Sequence, residues 1–223
     1  RKAAENGMPA AQLRLASLAA ARGDEEDAAE AFRWFKVAAE RGDALAQYNL
    51  AALYDQGRGT AQNRPEAFQW FLKAAEQGHD RSQTLVGAIY ASDEIVPHDY
   101  DEALRWFRKA AEQGVAEAQF NLGAMYDEGK GLDKDPVQAI AWYRKAAEQG
   151  LAPAELAMGT FYANGEGVKR DPVAAAQWFF LAGSHGEPEA EAFYEAVARE
   201  MTNAQKAEAM RRADEALEQL RRK

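Results

Sequence analysis

Tryptophan recurs at a fixed interval along this chain. The sequence has 223 residues and five tryptophans, and successive tryptophans are 36 positions apart, at Trp34, Trp70, Trp106, Trp142 and Trp178. A similar phrase surrounds each of them, from AEAFRWFKVAAERG in the first copy to VAAAQWFFLAGSHG in the least regular, last copy. A period of this length is typical of helical-repeat proteins, in which each repeat buries its apolar face against its neighbours. The chain is therefore predicted to be a tandem array.

The composition limits which classes of protein this chain can belong to and which kinds of partner it can bind. Apolar residues make up 47% and charged residues 28% of the chain, which indicates a folded protein with a substantial core. The net charge of -9 argues against a nucleic-acid partner, because phosphate backbones are bound by clustered lysine and arginine. The chain has no cysteine, which excludes disulfides and thiolate metal sites. No apolar run reaches the roughly 18 residues of a membrane span, so we expect no direct membrane insertion.

Two helices are predicted in each repeat. The first contains apolar and small residues at helical spacing, as in AQYNLAALY and AQFNLGAMY. The second begins after a side chain that can cap a helix and ends at a glycine. The predicted N-caps are Asp27, Asn63, Asp99, Asp135 and Asp171, and the closing glycines are Gly42, Gly78, Gly114 and Gly150. No strand pattern is present. The fold class is therefore predicted to be all-α, a right-handed superhelical solenoid of helix-turn-helix repeats with tryptophans packed between the helices.

Glycine pairs lie between the two helices of most repeats. The pairs are Gly57 and Gly59, Gly129 and Gly131, and Gly165 and Gly167. A phosphate-binding loop would need a preceding strand and a third glycine, and both are lacking. We therefore expect turns with positive φ angles.

Counting from the closing glycines divides the chain into one continuous solenoid domain. Residues 1–7 are interpreted as the remnant of a preceding repeat, so the chain is expected to be a fragment of a longer protein. Its N-terminal edge predicts a monomer or a weak homodimer.

Thr202 and Gln205 form a predicted capping box that opens a final helix, with Ala207, Met210, Leu217 and Leu220 on its apolar side. This helix is interpreted as a cap, and the alternative is a partner-binding or coiled-coil helix. The predicted repeats are 8–42, 43–78, 79–114, 115–150 and 151–186, followed by a C-terminal capping segment at 187–223.

The repeated phrase resembles the Sel-one-like repeat (SLR) family, which is close to the tetratricopeptide repeats. The shared pattern is A-x-x-x-LG-x-x-Y, then G-x-G, then D-P-x-x-A-x-x-W-x-x-KAAE-x-G. Two copies depart from it: the first lacks one loop residue, and the third has Asp93 and Ile95 in place of the glycine pair, so its loop should be shaped differently. The resemblance implies a non-catalytic scaffold or adaptor that binds a protein or peptide on its concave surface. It also implies a part of a larger bacterial signalling, polarity or envelope protein, in the periplasm or cell envelope, with the cytoplasm as the alternative.

Catalytic and metal sites are not indicated. The three histidines, His79, His98 and His185, fall at interhelical connections of different repeats, and none is paired at i,i+4 on one helical face. They are interpreted as cap-like or solvated side chains. Acidic residues recur with the repeat, which favours solvated helix faces over a unique active site. We therefore expect no enzyme activity, no metal and no cofactor.

A partner-binding face is predicted on the first helix of each repeat, opposite its core face at 100° per residue. Its aromatic, aliphatic and small residues with an acidic margin favour a peptide or helix that carries apolar anchors and basic flanks. Asn49 and Asn121 are expected to hold a peptide backbone. One alternative is that Tyr48 and Phe120 pack against an adjacent helix, and another is a regulator that senses a small molecule or glycan. The predicted groove residues are Leu13, Leu45, Tyr48, Asn49, Asp55, Arg81, Thr84, Phe120, Asn121, Asp127, Glu128 and Leu156.

Overall fold

A computed structural model describes residues 8–22 and 25–222, and every regular element within these ranges is an α-helix. The predicted remnant at residues 1–7 lies outside the described residues. No described helix is both long and apolar enough to cross a membrane. The described helices are α1 (Pro9–Arg22), α2 (Glu25–Glu40), α3 (Ala44–Gln56), α4 (Arg64–Glu76), α5 (Asp80–Ala91), α6 (Tyr100–Glu112), α7 (Ala116–Glu128), α8 (Pro136–Ala147), α9 (Ala152–Asn164), α10 (Pro172–Ser184), α11 (Ala190–Ala198) and α12 (Asn203–Arg221).

The second helices begin at the predicted capping side chains, with one exception. Asn63, Asp135 and Asp171 are the N-caps of α4, α8 and α10, and each accepts hydrogen bonds from backbone N–H groups of the first turn. Asp99 does the same for α6, where its Oδ1 accepts from the N–H of Glu102 at 3.0 Å. The prediction for Asp27 is wrong, because α2 begins at Glu25. Acidic residues are favourable throughout the first turn of a helix, so the residue type alone does not fix the boundary.

The glycine pairs form turns, as predicted. Gly57 ends α3 in the left-handed conformation with φ 67°, and Gly59 follows with φ 69°. The second glycine is also required by packing, since a Cβ atom there would overlap the backbone of Ala28 in α2. The loop therefore needs glycine for its backbone angle and for its close approach to the preceding repeat.

The chain forms two compact units that divide between Lys109 and Ala110. In the first unit, edge-to-face ring contacts join the second helix of one repeat to the first helix of the next. Phe32 meets Tyr54 with ring centroids 5.1 Å apart, and Phe68 meets Tyr90 at 5.5 Å. Such contacts make each repeat depend on its neighbour for burial.

Two tryptophans of the first unit combine burial with one polar contact. Trp70 and Trp106 are 8% and 1% exposed, which confirms the predicted packing role for these two residues. The indole N–H of Trp70 donates to Glu66 at 3.0 Å, and that of Trp106 donates to Glu102 at 3.1 Å. The glutamate four residues earlier thus satisfies the one polar atom that indole burial would otherwise leave without a partner.

In the second unit, α10 packs against α9, α11 and α12. The capping box predicted at Thr202 and Gln205 is present at the start of α12. The predicted apolar side of this helix is partly wrong, because its buried residues are Ala209 and Ala213, whereas Met210 is 42% exposed and Ala207 is also exposed. Small alanines allow a close helix contact, so the buried side follows the alanines and not the largest apolar residues.

Glycines in the middle of the first helices mark a close approach of the second helix. A Cβ atom on Gly87 would lie 2.8 Å from the Phe107 ring in the first unit. In the second unit, a Cβ on Gly123 would lie 2.8 Å from the Tyr143 ring, and one on Gly159 would overlap the Phe179 ring. The aromatic ring of each second helix therefore lies against the backbone of its own first helix.

We predict opposite effects for two glycine-to-alanine changes in helices of the second unit. Gly159→Ala should lower the free energy of unfolding by about 1–2 kcal/mol, because overpacking typically costs about 1–3 kcal/mol and the better helix propensity of alanine offsets roughly 1 kcal/mol. Gly183→Ala should raise it by about 0.5–1 kcal/mol. A Cβ at Gly183 meets only Ala190 Cβ, at 3.6 Å.

Urea unfolding of the two variants and the wild type measures both effects. If Gly159→Ala were as stable as Gly183→Ala, the Phe179 ring would be free to move and the proposed close approach would be wrong.

Candidate functional site

The predicted groove residues of the first unit lie on the first helices α1, α3 and α5, and their exposure differs widely. Leu45 is 52% exposed, and Arg81 is also exposed. The remaining residues are half-buried, namely Leu13, Tyr48, Asn49, Asp55 and Thr84. Within this unit, Leu45 and Arg81 therefore offer a partner the most accessible side chains of the predicted set.

The ring of Tyr48 is packed from two sides. Its centroid lies 5.8 Å from that of Phe71 in α4 and 4.7 Å from that of His79, which is the N-cap of α5. In the second unit, the half-buried Phe120 similarly meets Tyr143 of α8 at 5.4 Å. Much of the surface of both rings is thus packed against a neighbouring helix, which is the alternative interpretation of these two residues. Alanine at these positions would remove core contacts as well as groove surface.

Two polar groove residues of the first unit bond to their own helices. The Nδ2 of Asn49 donates to the carbonyl oxygen of Leu45 at 2.8 Å, and the Oγ1 of Thr84 donates to that of Asp80 at 3.2 Å. One N–H of the Asn49 amide is therefore engaged within α3, which fixes the side chain, while its second N–H and its oxygen can still bond to a peptide backbone.

The predicted acidic margin is accompanied by cations that lie at or just before the start of a second helix. In the first unit, the guanidinium of Arg64 lies 3.7 Å from Asp55 and 3.5 Å from Glu94. In the second unit, the ammonium of Lys134 lies 3.6 Å from Asp127 and 3.0 Å from Glu166. Such exposed pairs contribute roughly 0–1 kcal/mol each, but they reduce the negative potential that a basic partner would meet.

The other groove residues of the second unit differ in environment. Asn121 and Leu156 are half-buried, whereas Glu128 is exposed and paired with Lys130. Partial burial raises the pKa of Asp127 above its usual range, against the opposing effect of the Lys134 ammonium.

A row of buried glutamines, not predicted from the sequence, ties successive repeats together. Gln47, Gln83 and Gln119 are at most 5% exposed. Their Nε2 atoms donate to the carbonyl oxygens of Ala39, Ala75 and Ala111, at 3.2, 3.1 and 3.1 Å. The oxygen of Gln47 accepts from Gln77 at 2.7 Å, and that of Gln119 accepts from Gln149 at 2.8 Å. We call this arrangement the amide row.

The fifth repeat replaces both partners of the amide row with ionisable residues. Glu155 is fully buried, and its two carboxylate oxygens lie 2.8 and 3.1 Å from Nδ1 of His185. Burial raises the pKa of Glu155, while the hydrogen bond to His185 acts in the opposite direction. Unlike glutamine, an ionised Glu155 has no proton to donate to a backbone carbonyl. The pair could have been found by aligning the copies, since both positions change together and lie 30 residues apart.

The other two histidines have structural contacts. The Nδ1 of His79 accepts from the N–H of Ser82 at 3.2 Å, and burial lowers the pKa of His79, which suits a neutral ring that accepts at the start of α5. His98 bonds to Asp93 through its ring at 2.8 Å and through its backbone N–H at 2.9 Å. These bonds shape the divergent loop of the third copy, whose different conformation was predicted.

Within residues 8–22 and 25–222, no group of three or more histidine, aspartate or glutamate side chains has the geometry to hold a metal ion. The geometry is that of a repeat protein with side chains available for contact on its first helices.

We predict that Glu155 makes the stability of the protein pH-dependent. A carboxyl with a raised pKa in the folded state stabilises most below its unfolded pKa, which is about 4.3, and this contribution is lost as the pH rises through the folded pKa. Glu155→Gln should therefore flatten the fall in unfolding free energy that sets in as the pH rises above the unfolded pKa. Adding His185→Gln should rebuild the amide row and raise stability at pH 8 by about 1 kcal/mol.

Urea unfolding at several pH values measures this dependence. Glu148→Gln is the matched control, because it removes a neighbouring but exposed carboxylate. A pH profile of Glu155→Gln that overlays the wild-type profile would contradict the prediction.

Comparison with known proteins agrees with this geometry. The model of the Sel1 repeat family matches residues 9–43, 44–79, 80–115, 116–151 and 152–187. The crystal structure of c5321, a protective antigen of uropathogenic Escherichia coli with an SLR fold, is similar at 38% identity and a TM-score of 0.86 over 96% of this chain. A Sel1 repeat protein from Oxalobacter formigenes is similar at 35% identity and a TM-score of 0.78 over 85% of this chain. No curated protein matches at a significant level.

The chain spans 46% of the length of the E. coli protein and 76% of that from O. formigenes. The fold class is all-α, a solenoid of helical hairpins with a period of about 36 residues. Sel1 repeat proteins are in general non-catalytic scaffolds, and their repeats typically mediate protein binding. Because the family model covers all five copies, the chain belongs to the Sel1 repeat family.

Proposed function

We propose that this chain is a non-catalytic adaptor that binds a partner protein or peptide through the exposed faces of its first helices. The observation that carries the proposal is the exposure of large aliphatic side chains there: Leu45 of α3 is 52% exposed and Leu85 of α5 is 37% exposed. Leu85 aligns with Asn49 of the preceding copy, so it falls on the predicted groove face. Exposed aliphatic residues on successive repeats suit apolar anchors of a partner. The chain itself acts as a monomer in this proposal.

The setting that we propose is the periplasm or cell envelope of a bacterium, within a larger envelope, signalling or polarity protein. The relative from uropathogenic E. coli is a protective antigen, which supports this location. The cytoplasm is the alternative.

Site-specific crosslinking tests the binding face. We expect a photo-crosslinking amino acid at position 45 to capture a defined protein in cells of the source organism. The same amino acid at position 137 should not, because Val137 is 60% exposed but lies on a second helix. Leu45→Glu should abolish non-covalent capture, since it places a charge where an apolar anchor would bind. Equal crosslinking from both positions would assign binding to a different face or to non-specific contact.

Location is tested with the full-length protein. We expect a tagged protein to be digested by an added protease once the outer membrane is permeabilised, while a cytoplasmic marker stays intact. Protection of both proteins until the inner membrane is lysed would place this protein in the cytoplasm.

A further inference from the structure

A cavity of about 560 Å³ lies in the second unit between α10, α11 and α12. Aromatic and aliphatic side chains form much of its wall, among them Phe179, Phe180, Tyr194 and Met210. The exposed fraction of Met210 is 42%, which is high for a large apolar residue beside a core. A concave apolar space of this volume falls in the range of about 300–1,000 Å³ that is usual for binding sites.

The fifth copy departs from the repeat at the residues that line this cavity. Alignment on the closing glycine places Phe180 where the fourth copy has Arg144, Gly183 where it has Ala147, and Ser184 where it has Glu148. All three of these replacements line the cavity. Together they add an aromatic wall, remove a methyl group and remove two charges of opposite sign. Three replacements of the last copy thus lie at one apolar opening.

The amide row also stops at this point. Glu191 lies 36 positions after Glu155 and therefore occupies the next place in the row, but it is exposed and lines the cavity. In the regular copies, the residue at this place is buried and donates to the alanine that corresponds to Gly183. Helix α11 therefore does not close against α10 through this bond. At Gly183 an added Cβ would meet only Ala190 Cβ, at 3.6 Å, so there is room for a methyl group.

The rim of the cavity is acidic. Glu187 and Glu191 line it, and Glu189 and Glu195 are exposed on the same segment. Within the described part of the chain, none of these four carboxylates forms an ion pair. This differs from the groove margin, where Arg64 and Lys134 accompany the acidic residues. The rim thus favours a positively charged ligand, and the wall favours an apolar one.

We propose that this cavity, which we call the cap pocket, docks a peptide that carries one large apolar side chain flanked by lysine or arginine. The apolar side chain enters between Phe180, Tyr194 and Met210, and the basic flanks face Glu187 and Glu191. Charge complementarity argues for this occupant over an acidic or purely apolar one. The cap pocket uses none of the first-helix residues proposed above as the partner-binding face, so the two sites can be tested separately.

Methyl NMR with defined peptides tests the cap pocket. The chain has five methionines, and [13C-methyl]methionine labelling reports on Met210 in the cap pocket and on Met125 in α7 as an internal reference. The probe is an acetylated, amidated peptide with one tryptophan between two lysine pairs. We expect it to shift the Met210 methyl signal and not that of Met125. Peptides with glutamate in place of lysine, or alanine in place of tryptophan, should bind at least about tenfold more weakly.

Two variants separate the contributions of shape and charge. Gly183→Leu should fill the cap pocket, which Gly183 lines, and abolish the shift, and circular dichroism checks that the variant is folded. Glu187→Gln combined with Glu191→Gln should weaken binding by about tenfold and reduce its dependence on salt. The matched control is Glu76→Gln combined with Glu112→Gln, which removes the same charge from exposed helix ends and should leave binding unchanged.

Three results would overturn the proposal. One is equal binding of the lysine and glutamate peptides. Another is an unchanged Met210 shift in a Gly183→Leu variant whose circular dichroism shows that it is folded. The third is a shift of the same size with N-acetyltryptophanamide alone at the same concentration, because the cap pocket would then take a small apolar molecule. None of these results bears on crosslinking from position 45, so failure here leaves the proposed adaptor function standing.

Discussion

The contact on which each repeat depends is that between an aromatic ring of its second helix and the backbone of its first helix. Phe107 against Gly87 in the first unit and Tyr143 against Gly123 in the second unit show how little space separates these helices. Such a short separation leaves no room for water, so polar groups near it must bond to protein. The buried glutamines do this by donating to backbone carbonyls of the preceding repeat. The close packing within a repeat and the glutamine hydrogen bonds between repeats thus both follow from this one contact.

Most of the fold could be predicted because its signals are local and recur in every copy. Asn63, Asp135 and Asp171 cap helices through atoms only two or three residues away, so sequence spacing alone locates them. Prediction failed where a choice depends on packing. Asp27 lies in a run of acidic residues that are all acceptable in a first turn, and the buried side of α12 follows Ala209 and Ala213 because α10 approaches there. The pair of Glu155 and His185 was missed because the two residues lie 30 positions apart, and no local pattern shows that they are in contact.

The sequence predicts which positions form the candidate groove, but it does not predict which of their side chains are free to bind. Helical periodicity identifies the face that carries Tyr48 and Asn49, yet it cannot show that the Tyr48 ring meets Phe71 and His79 or that Asn49 bonds to Leu45. The prediction of the acidic margin left out its counterions, because Arg64 reaches it from the first residue of α4 and Lys134 from the loop before α8, and the periodic pattern of the first helices describes neither position. Exposure of a side chain is a property of the packed structure, so single-helix reasoning overestimates how much of a face is available.

Departures from the repeat carry more functional information than the repeat does. A residue that recurs in every copy is explained by packing that also recurs, and it cannot distinguish one site from another. In the second unit, the row changes from amides to Glu155 and His185 and then ends at the exposed Glu191, over the same stretch in which Phe180, Gly183 and Ser184 replace the regular residues. An ionised Glu191 has no proton to donate to the backbone carbonyl that the row reaches in the regular copies, and the replaced side chains decide the chemistry of the cavity between α10, α11 and α12.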